Sequence, residues 1–118
     1  MKIGEIQKLL SAEVLCGEDQ LECEVYSACS SDMMSDVLAF VKDQAVLLTG
    51  LVNPQVIRTA EMMDMKCVVF DRKKVPGEDI VELARDSGIV LMRSNLRMFE
   101  ACGILYSAGL KGHAKDGN

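Results

Sequence analysis

Residues 45–48 read Ala-Val-Leu-Leu, four apolar side chains in a row, and runs of this kind decide the fold class. Two more follow at Cys67-Val68-Val69-Phe70 and Ile89-Val90-Leu91-Met92. A strand covered on one face alternates apolar and polar residues, whereas a strand covered on both faces is apolar throughout. The three runs therefore predict the central strands of a sheet that carries helices on both faces.

The segments before these runs show helical spacing of apolar residues. The residues are Met34, Val37, Leu38 and Val41, then Val56, Ile57, Ala60 and Met63, then Ile80, Val81, Leu83 and Ala84. Asn53-Pro54 supplies a cap and a first-turn proline for one helix, and Gly88 is placed to end another. Strands that alternate with helices favour a parallel sheet with right-handed crossovers.

The two ends of the chain predict further elements. Ile3, Ile6, Leu9 and Leu10 have helical spacing, and residues 12–16 read as a strand. Leu21, Cys23 and Val25 alternate with Glu22, Glu24 and Tyr26, which predicts a second, half-exposed edge strand linked to the first by a turn. A last helix is expected from Ser94, with Leu96, Phe99, Gly103 and Tyr106 on its buried stripe.

Together these patterns predict one α/β domain with a mainly parallel central sheet, alternating helices and an N-terminal helix plus edge-strand element. We expect the domain to cover residues 1–111 and residues 112–118 to form a flexible polar tail. The length of 118 residues suits a single core.

The composition excludes several classes of function. With 13 basic and 18 acidic residues, the chain has a formal charge of -5 and no local basic cluster, so we expect no nucleic-acid partner. Apolar runs are too short to span a membrane and no signal sequence is recognised, which predicts a cytoplasmic location. The five cysteines include no C-x-x-C pair, so neither a disulfide framework nor a metal site is expected, and no cofactor is implied.

Ligands of open parallel sheets bind beyond the carboxyl ends of the strands. Polar residues follow each predicted strand end at 30–32, 49–50, 71–72 and 93–95. Helix capping explains many of these residues individually. Because all of them lie at the same edge of the sheet, this edge is the predicted binding site. Free helix N-H groups after Thr49-Gly50 can donate to a phosphate or carboxylate, although a plain capped turn is the more common role of such residues. The ligand-binding candidates are Ser30, Ser31, Asp32, Thr49, Gly50, Asn53, Arg93 and Ser94.

Catalytic residues are harder to find in the sequence. His113 falls in the predicted tail, where nothing would orient it as a base. Asp32 and Asp36 are candidates for paired carboxylates or metal ligands, although capping of helix starts by Ser31, Asp32 or Ser35 is the more common outcome. Cys29 lies near a predicted helix start, where the backbone dipole would lower the pKa of its thiol. Neither a P-loop nor a G-x-G-x-x-G sequence is present.

Residues 21–71 resemble the DRTGG domain, whose members often show an edge strand, a loop like S-D-x-x-S-D-V-x-A and a strand that ends in T-G. The matching positions are Ser31-Asp32, Ser35-Asp36-Val37, Thr49-Gly50 and Asn53, and the similarity continues through Gly88-Ile89, Ser94, Phe99 and Gly103. The resemblance implies an α/β domain related in fold to the amino-terminal domain of HPr kinase/phosphorylase and usually regulatory. Residues 27–30 depart from the glycine-rich segment often seen before S-D, and without a P-loop no kinase activity carries over.

The resemblance also suggests partners. Members of the family occur inside phosphotransacetylases and beside CBS domains in a nucleotide-regulated pyrophosphatase, often at dimer contacts, and stand-alone versions accompany iron-hydrogenase genes. The first hypothesis is therefore a non-catalytic, homodimeric regulatory domain that binds a small anion or an adenine nucleotide. The second is a docking or assembly subunit for an iron-sulfur redox enzyme such as an iron hydrogenase. A metal-dependent hydrolase that uses Asp32 and Asp36 comes last.

Overall fold

The computed structural model describes residues 1–40, 44–72 and 74–113. In these ranges the helices are α1 (Ile3–Leu9), α2 (Met34–Phe40), α3 (Pro54–Met62), α4 (Glu78–Asp86) and α5 (Met98–Ser107). The strands are β1 (Glu13–Cys16), β2 (Ser27–Ser30), β3 (Ala45–Thr49), β4 (Cys67–Phe70) and β5 (Val90–Arg93). The predicted alternation of helices and strands is confirmed.

The strands form one sheet in the order β1-β5-β4-β3-β2. Strands β2 to β5 run parallel to one another, and β1 pairs with β5 in the antiparallel direction. The predicted α/β class with a mainly parallel sheet is therefore confirmed, as is an edge strand directly after the N-terminal helix. Because β2 to β5 point the same way, their carboxyl ends meet at one edge of the sheet.

Helices cover both faces of the central strands. Side chains alternate between the faces along each strand, so every residue of β3 and β4 is buried. Helices α2, α3 and α4 pack on Leu47, Val68 and Leu91. Helices α1 and α5 pack on the opposite face, against Val46, Val69 and Met92. Each fully buried aliphatic side chain contributes about 1.5–3 kcal/mol to stability, and this double coverage explains the three continuous apolar runs.

The predicted second edge strand at residues 21–26 is wrong. Residues 18–20 form a short 3-10 helix, and Glu24 makes only an isolated bridge with Lys2. The segment instead runs past the start of the chain, where the Val25 N-H donates to the Met1 carbonyl at 2.8 Å. The real strand, β2, begins at Ser27 and lies at the opposite edge of the sheet from β1, so the two do not pair as a hairpin.

The predicted buried stripe of the last helix is also wrong. Helix α5 begins at Met98 rather than at Ser94, and it buries Ala101 and Leu105. Phe99 is 85% exposed and Tyr106 is 60% exposed. Gly103 is exposed too, and Leu96 is only partly buried before the helix begins. Because α5 is apolar almost all round, the sequence pattern does not single out one face, and only packing in the folded chain buries Ala101 and Leu105.

Two smaller predictions on helix ends are confirmed. The Asn53 carboxamide oxygen accepts a hydrogen bond of 2.7 Å from the Gln55 N-H, with Pro54 in the first turn of α3. Gly88 has a φ of +72° just after α4.

Val41 and residues 114–118 of the predicted tail lie outside the described residues. In the described part of the chain, no helix is long and apolar enough to cross a membrane.

Gly17 makes a close approach between the end of β1 and β5. Its φ of +91° is in the left-handed region. A Cβ at this position would lie 2.8 Å from the Val90 Cα atom, too close for any real contact. The turn after β1 therefore requires glycine for both its backbone angle and its packing.

We predict that Gly17→Ala lowers the free energy of unfolding by roughly 2–5 kcal/mol, since a left-handed alanine costs about 1–2 kcal/mol and overpacking about 1–3 kcal/mol. Gly109→Ala is the matched control, because Gly109 has a φ of +110° but a methyl group added there would meet nothing within 4 Å. Gly109→Ala should therefore lose only the free energy that a left-handed backbone costs an alanine, about 1–2 kcal/mol. Urea denaturation measures both values, and equal losses would contradict the close packing of Gly17 on Val90.

Candidate functional site

A cleft of about 470 Å³ opens at the carboxyl edge of the parallel strands. The end of β2, the end of β4 and the start of α5 surround it. Its lining residues are Ser30, Ser31, Asp32, Asp71, Arg72, Arg97, Met98 and Phe99. We call it the rim cleft. The sequence rule that ligands of such sheets bind beyond the strand ends selects the same edge.

Asp32 joins the ends of β2 and β3. Its Oδ1 atom accepts a hydrogen bond of 3.0 Å from the Thr49 hydroxyl and one of 2.7 Å from the Gly50 N-H. The Thr49 hydroxyl in turn accepts from the Leu51 N-H at 3.1 Å. Thr49 is completely buried, whereas Asp32 is exposed on the cleft. One oxygen of Asp32 thus links the ends of β2 and β3. The other oxygen, Asp32 Oδ2, makes no hydrogen bond among the described residues.

The two serines before Asp32 differ in their roles. The Ser31 hydroxyl accepts a hydrogen bond of 3.0 Å from the Met33 N-H, which turns the chain toward α2. Ser30 is exposed at the end of β2. Asp36 lies in the first turn of α2 and does not line the rim cleft. The suggested pairing of Asp32 with Asp36 in one site is therefore not seen.

Asp71 and Arg72 follow β4 and form the floor and one wall of the cleft. Asp71 is only 6% exposed. Its Oδ1 atom is fully enclosed and has no hydrogen-bond partner in the described residues. Its Oδ2 atom lies 3.7 Å from the Arg72 Nε atom. Arg72 has a φ of +50°, a strained backbone for an arginine, and its side chain is about half exposed.

Arg97, Met98 and Phe99 come from the start of α5. Arg97 is exposed, and its side chain makes no hydrogen bond or ion pair with any other described residue. Sequence reasoning missed these three residues, because it started the helix at Ser94 and buried Phe99. It recognised Asp71 and Arg72 at the predicted edge without selecting them. An exposed aromatic beside two arginines is a tertiary feature, and no sequence pattern marks it here.

Three predicted site residues have other roles in the structure. Asn53 caps α3, as described above. The Ser94 hydroxyl donates to the Leu10 carbonyl at 2.8 Å and is buried. The Arg93 Nε atom donates to Glu13 Oε1 at 2.7 Å, across the β1–β5 pair. None of the three lines the rim cleft, whereas Ser30, Ser31 and Asp32 do and Thr49-Gly50 supports Asp32 from behind.

Cys29 does not have the lowered pKa expected from a helix start. It lies within β2 and is partly buried. Burial raises the pKa of its thiol, and the nearby carboxylate of Asp36 raises it further. Burial raises the pKa of the fully enclosed Cys67 thiol as well. The suggested lowering of the Cys29 pKa by a helix start is therefore not seen, because the surroundings of this thiol raise its pKa instead.

The rim cleft thus combines three kinds of groups: hydrogen-bond donors for phosphate, an aromatic ring and carboxylates. The guanidinium groups of Arg72 and Arg97, with the exposed Ser30 hydroxyl, are suited to phosphate oxygens. The exposed ring of Phe99 offers a flat apolar surface for a planar group. The carboxylates of Asp32 and Asp71 can accept hydrogen bonds from hydroxyl groups or bind a cation. No group of three or more histidine, cysteine or acidic side chains arranged for a metal occurs in the described residues.

Comparisons with known proteins support the fold and not a family assignment. Neither the protein-family models nor the curated proteins include a match. Among solved structures, the chain is similar to the CBS and DRTGG domains of the regulatory region of Clostridium perfringens pyrophosphatase, complexed with the activator diadenosine tetraphosphate. The TM-score is 0.70 at 16% sequence identity, over 88% of this chain and 45% of that chain. The two proteins therefore share a fold, and this chain spans less than half of the other.

We predict that Asp32→Ala lowers the free energy of unfolding by about 1–2 kcal/mol, because it leaves the Thr49 hydroxyl and the Gly50 N-H without their acceptor. Asp32→Asn keeps an acceptor oxygen and should recover at least half of that loss. The matched control is Asp86→Ala, at an exposed acid at the end of α4. Equal urea-denaturation midpoints for Asp32→Ala and Asp86→Ala would show that this carboxylate does not hold the edge together.

Proposed function

We propose that the protein is a non-catalytic regulatory domain of the DRTGG type that binds an adenine nucleotide, or another small phosphate-bearing anion, in the rim cleft. The observation that carries this proposal is the placement of Arg72, Arg97 and the exposed ring of Phe99 around one cleft. Charged donors for a phosphate and a surface for a base thus lie side by side at the edge where parallel sheets bind ligands.

The size and chemistry of the cleft suit such a ligand. Its volume of about 470 Å³ lies in the range of small-molecule sites. Arginine binds phosphate through two parallel hydrogen bonds, which gives direction as well as attraction. Stacking of a base on an aromatic ring contributes about 1–3 kcal/mol. The left-handed backbone of Arg72 is a local strain of the kind that is found at binding sites.

The likeness to the pyrophosphatase regulatory region supports the regulatory part of the proposal. That region was solved with diadenosine tetraphosphate as its activator. A shared fold at 16% identity does not carry a ligand from one protein to another, so the nucleotide assignment rests on the cleft residues of this chain.

Catalysis is left out of the proposal because, in the part of the chain that the structure describes, no histidine and no activated nucleophile lines the cleft. His113 lines a different depression, together with Met1 and Glu5. The Thr49 hydroxyl near Asp32 is fully buried and takes part in structural hydrogen bonds. A hydrolase that uses Asp32 with Asp36 lacks its second carboxylate in the cleft. The redox-enzyme docking alternative has no specific contact in the described residues to carry it, so we do not propose it.

We expect ATP with Mg²⁺ to raise the melting temperature by several degrees when it is present well above its Kd, because a ligand that prefers the folded state stabilises it by mass action. Arg97→Ala should weaken binding about tenfold by isothermal titration calorimetry, since it removes one charged phosphate donor. The control is Arg58→Ala, at an exposed arginine of α3 outside the cleft. AMP and diadenosine tetraphosphate complete the panel. If no nucleotide shifts the melting temperature at millimolar concentration, the ligand part of the proposal fails.

The proposal includes a homodimer formed through the exposed face of α5. This outer face includes Gly103 and Tyr106, which lie about one turn apart on the helix, while the ring of Phe99 is left to the rim cleft. Two copies related by a two-fold axis can pack the same face against itself, as most homodimers do. The glycine in its centre lets two helices approach closely. An apolar outer face on a helix whose inner face is already buried is typical of a protein contact.

Gly103→Arg tests the dimer without disturbing the protomer. A Cβ added at Gly103 would meet nothing within 4 Å, so the fold should stay intact or gain roughly 0.5–1 kcal/mol from losing a mid-helix glycine. We expect the wild type to sediment as a dimer and Gly103→Arg as a monomer at the same concentration. If the wild type is still monomeric at concentrations on the order of millimolar, the dimer is removed from the proposal.

A further inference from the structure

The carboxylate of Asp71 is the least satisfied polar group of the described residues. It is nine-tenths buried, it lines the rim cleft, and its Oδ1 atom has no hydrogen-bond partner. A buried carboxylate oxygen without a donor is unfavourable, because it has lost its water without replacement. Arg72 compensates only Oδ2, and at 3.7 Å rather than at hydrogen-bond distance.

Asp32 brings a second carboxylate close to Asp71. A Cβ placed on Gly50 would lie 3.0 Å from Asp71 Oδ1, 3.6 Å from Asp32 Oδ1 and 3.7 Å from Asp32 Oδ2. The two acids therefore border the same small space above Gly50. Any larger residue at position 50 would fill part of this space.

Two negative groups in a cleft that binds a phosphate would repel it. The conflict disappears if a cation lies between the carboxylates and the phosphate oxygens. Mg²⁺ typically binds through one or two carboxylates together with substrate phosphates, and it retains several water molecules. A larger set of protein ligands is not needed, in agreement with the lack of a three-residue metal cluster in the ranges that the structure describes.

We propose that the rim cleft binds its phosphate ligand as a divalent-cation complex, with Asp71 and Asp32 on the cation and Arg72 and Arg97 on the phosphate oxygens. This inference rests on the proposed function. Because only two carboxylates take part, the cation binds weakly alone and strongly together with the phosphate.

The test compares the affinity for ATP in Mg²⁺ and in EDTA by isothermal titration calorimetry. For the wild type we expect Mg²⁺ to lower the Kd at least about tenfold. Asp71→Asn removes the charge at nearly constant shape and should reduce the Mg²⁺ effect to less than about twofold. Asp86→Asn, an equal change at an exposed acid on α4, should retain the wild-type ratio. Adenosine, which has no phosphate, should bind equally in both buffers.

The outcomes separate this inference from the proposed function. Equal ATP affinity in Mg²⁺ and in EDTA would overturn the cation and leave the nucleotide site standing. A full Mg²⁺ effect in Asp71→Asn would overturn the assignment of Asp71. No binding of ATP or adenosine in either buffer would overturn the site itself. If Asp71→Asn does not fold, broadening of wild-type NMR signals by Mn²⁺ with ATP decides: broadening at Gly50 and Asp32 supports the inference, and broadening elsewhere contradicts it.

Discussion

The structure depends on the coverage of β3, β4 and β5 by helices on both faces. Every residue of β3 and β4 is buried, so these strands have no room for polar side chains along their length. Polar side chains can therefore occur only at the ends of these strands. Parallel pairing then brings all those ends to one edge, where Asp32, Thr49 and Asp71 meet. The position of the rim cleft is thus a consequence of how the core is built.

Much of this could be predicted from the sequence, because it follows from side-chain patterns over whole elements. Continuous apolar runs at 45–48, 67–70 and 89–92 require two covered faces, and the cap at Asn53 marks a helix start by local hydrogen bonding alone. The edge rule also selected Ser30, Ser31 and Asp32, and all three line the rim cleft. These inferences do not depend on contacts between residues that are far apart in the sequence.

The parts that the sequence did not predict depend on such contacts. Residues 21–25 alternate like a strand, but their backbone partner is the start of the chain, and alternation does not encode a partner. Helix α5 is apolar all round, so its buried face is decided by the fit of Ala101 and Leu105 against the sheet. That choice exposes Phe99 and brings Arg97 to the cleft. The unpartnered oxygen of Asp71 is likewise visible only after packing.

The central claim is that the rim cleft is the ligand site of this fold. The most direct measurement is a titration of the ¹⁵N-labelled protein with ATP and Mg²⁺, followed by amide chemical shifts. We predict that the largest shifts fall on Asp32, Gly50, Arg72 and Phe99, around the cleft. Shifts that are absent at saturating ligand, or that cluster instead around Glu5, Tyr26 and His113 in the separate depression, would contradict it.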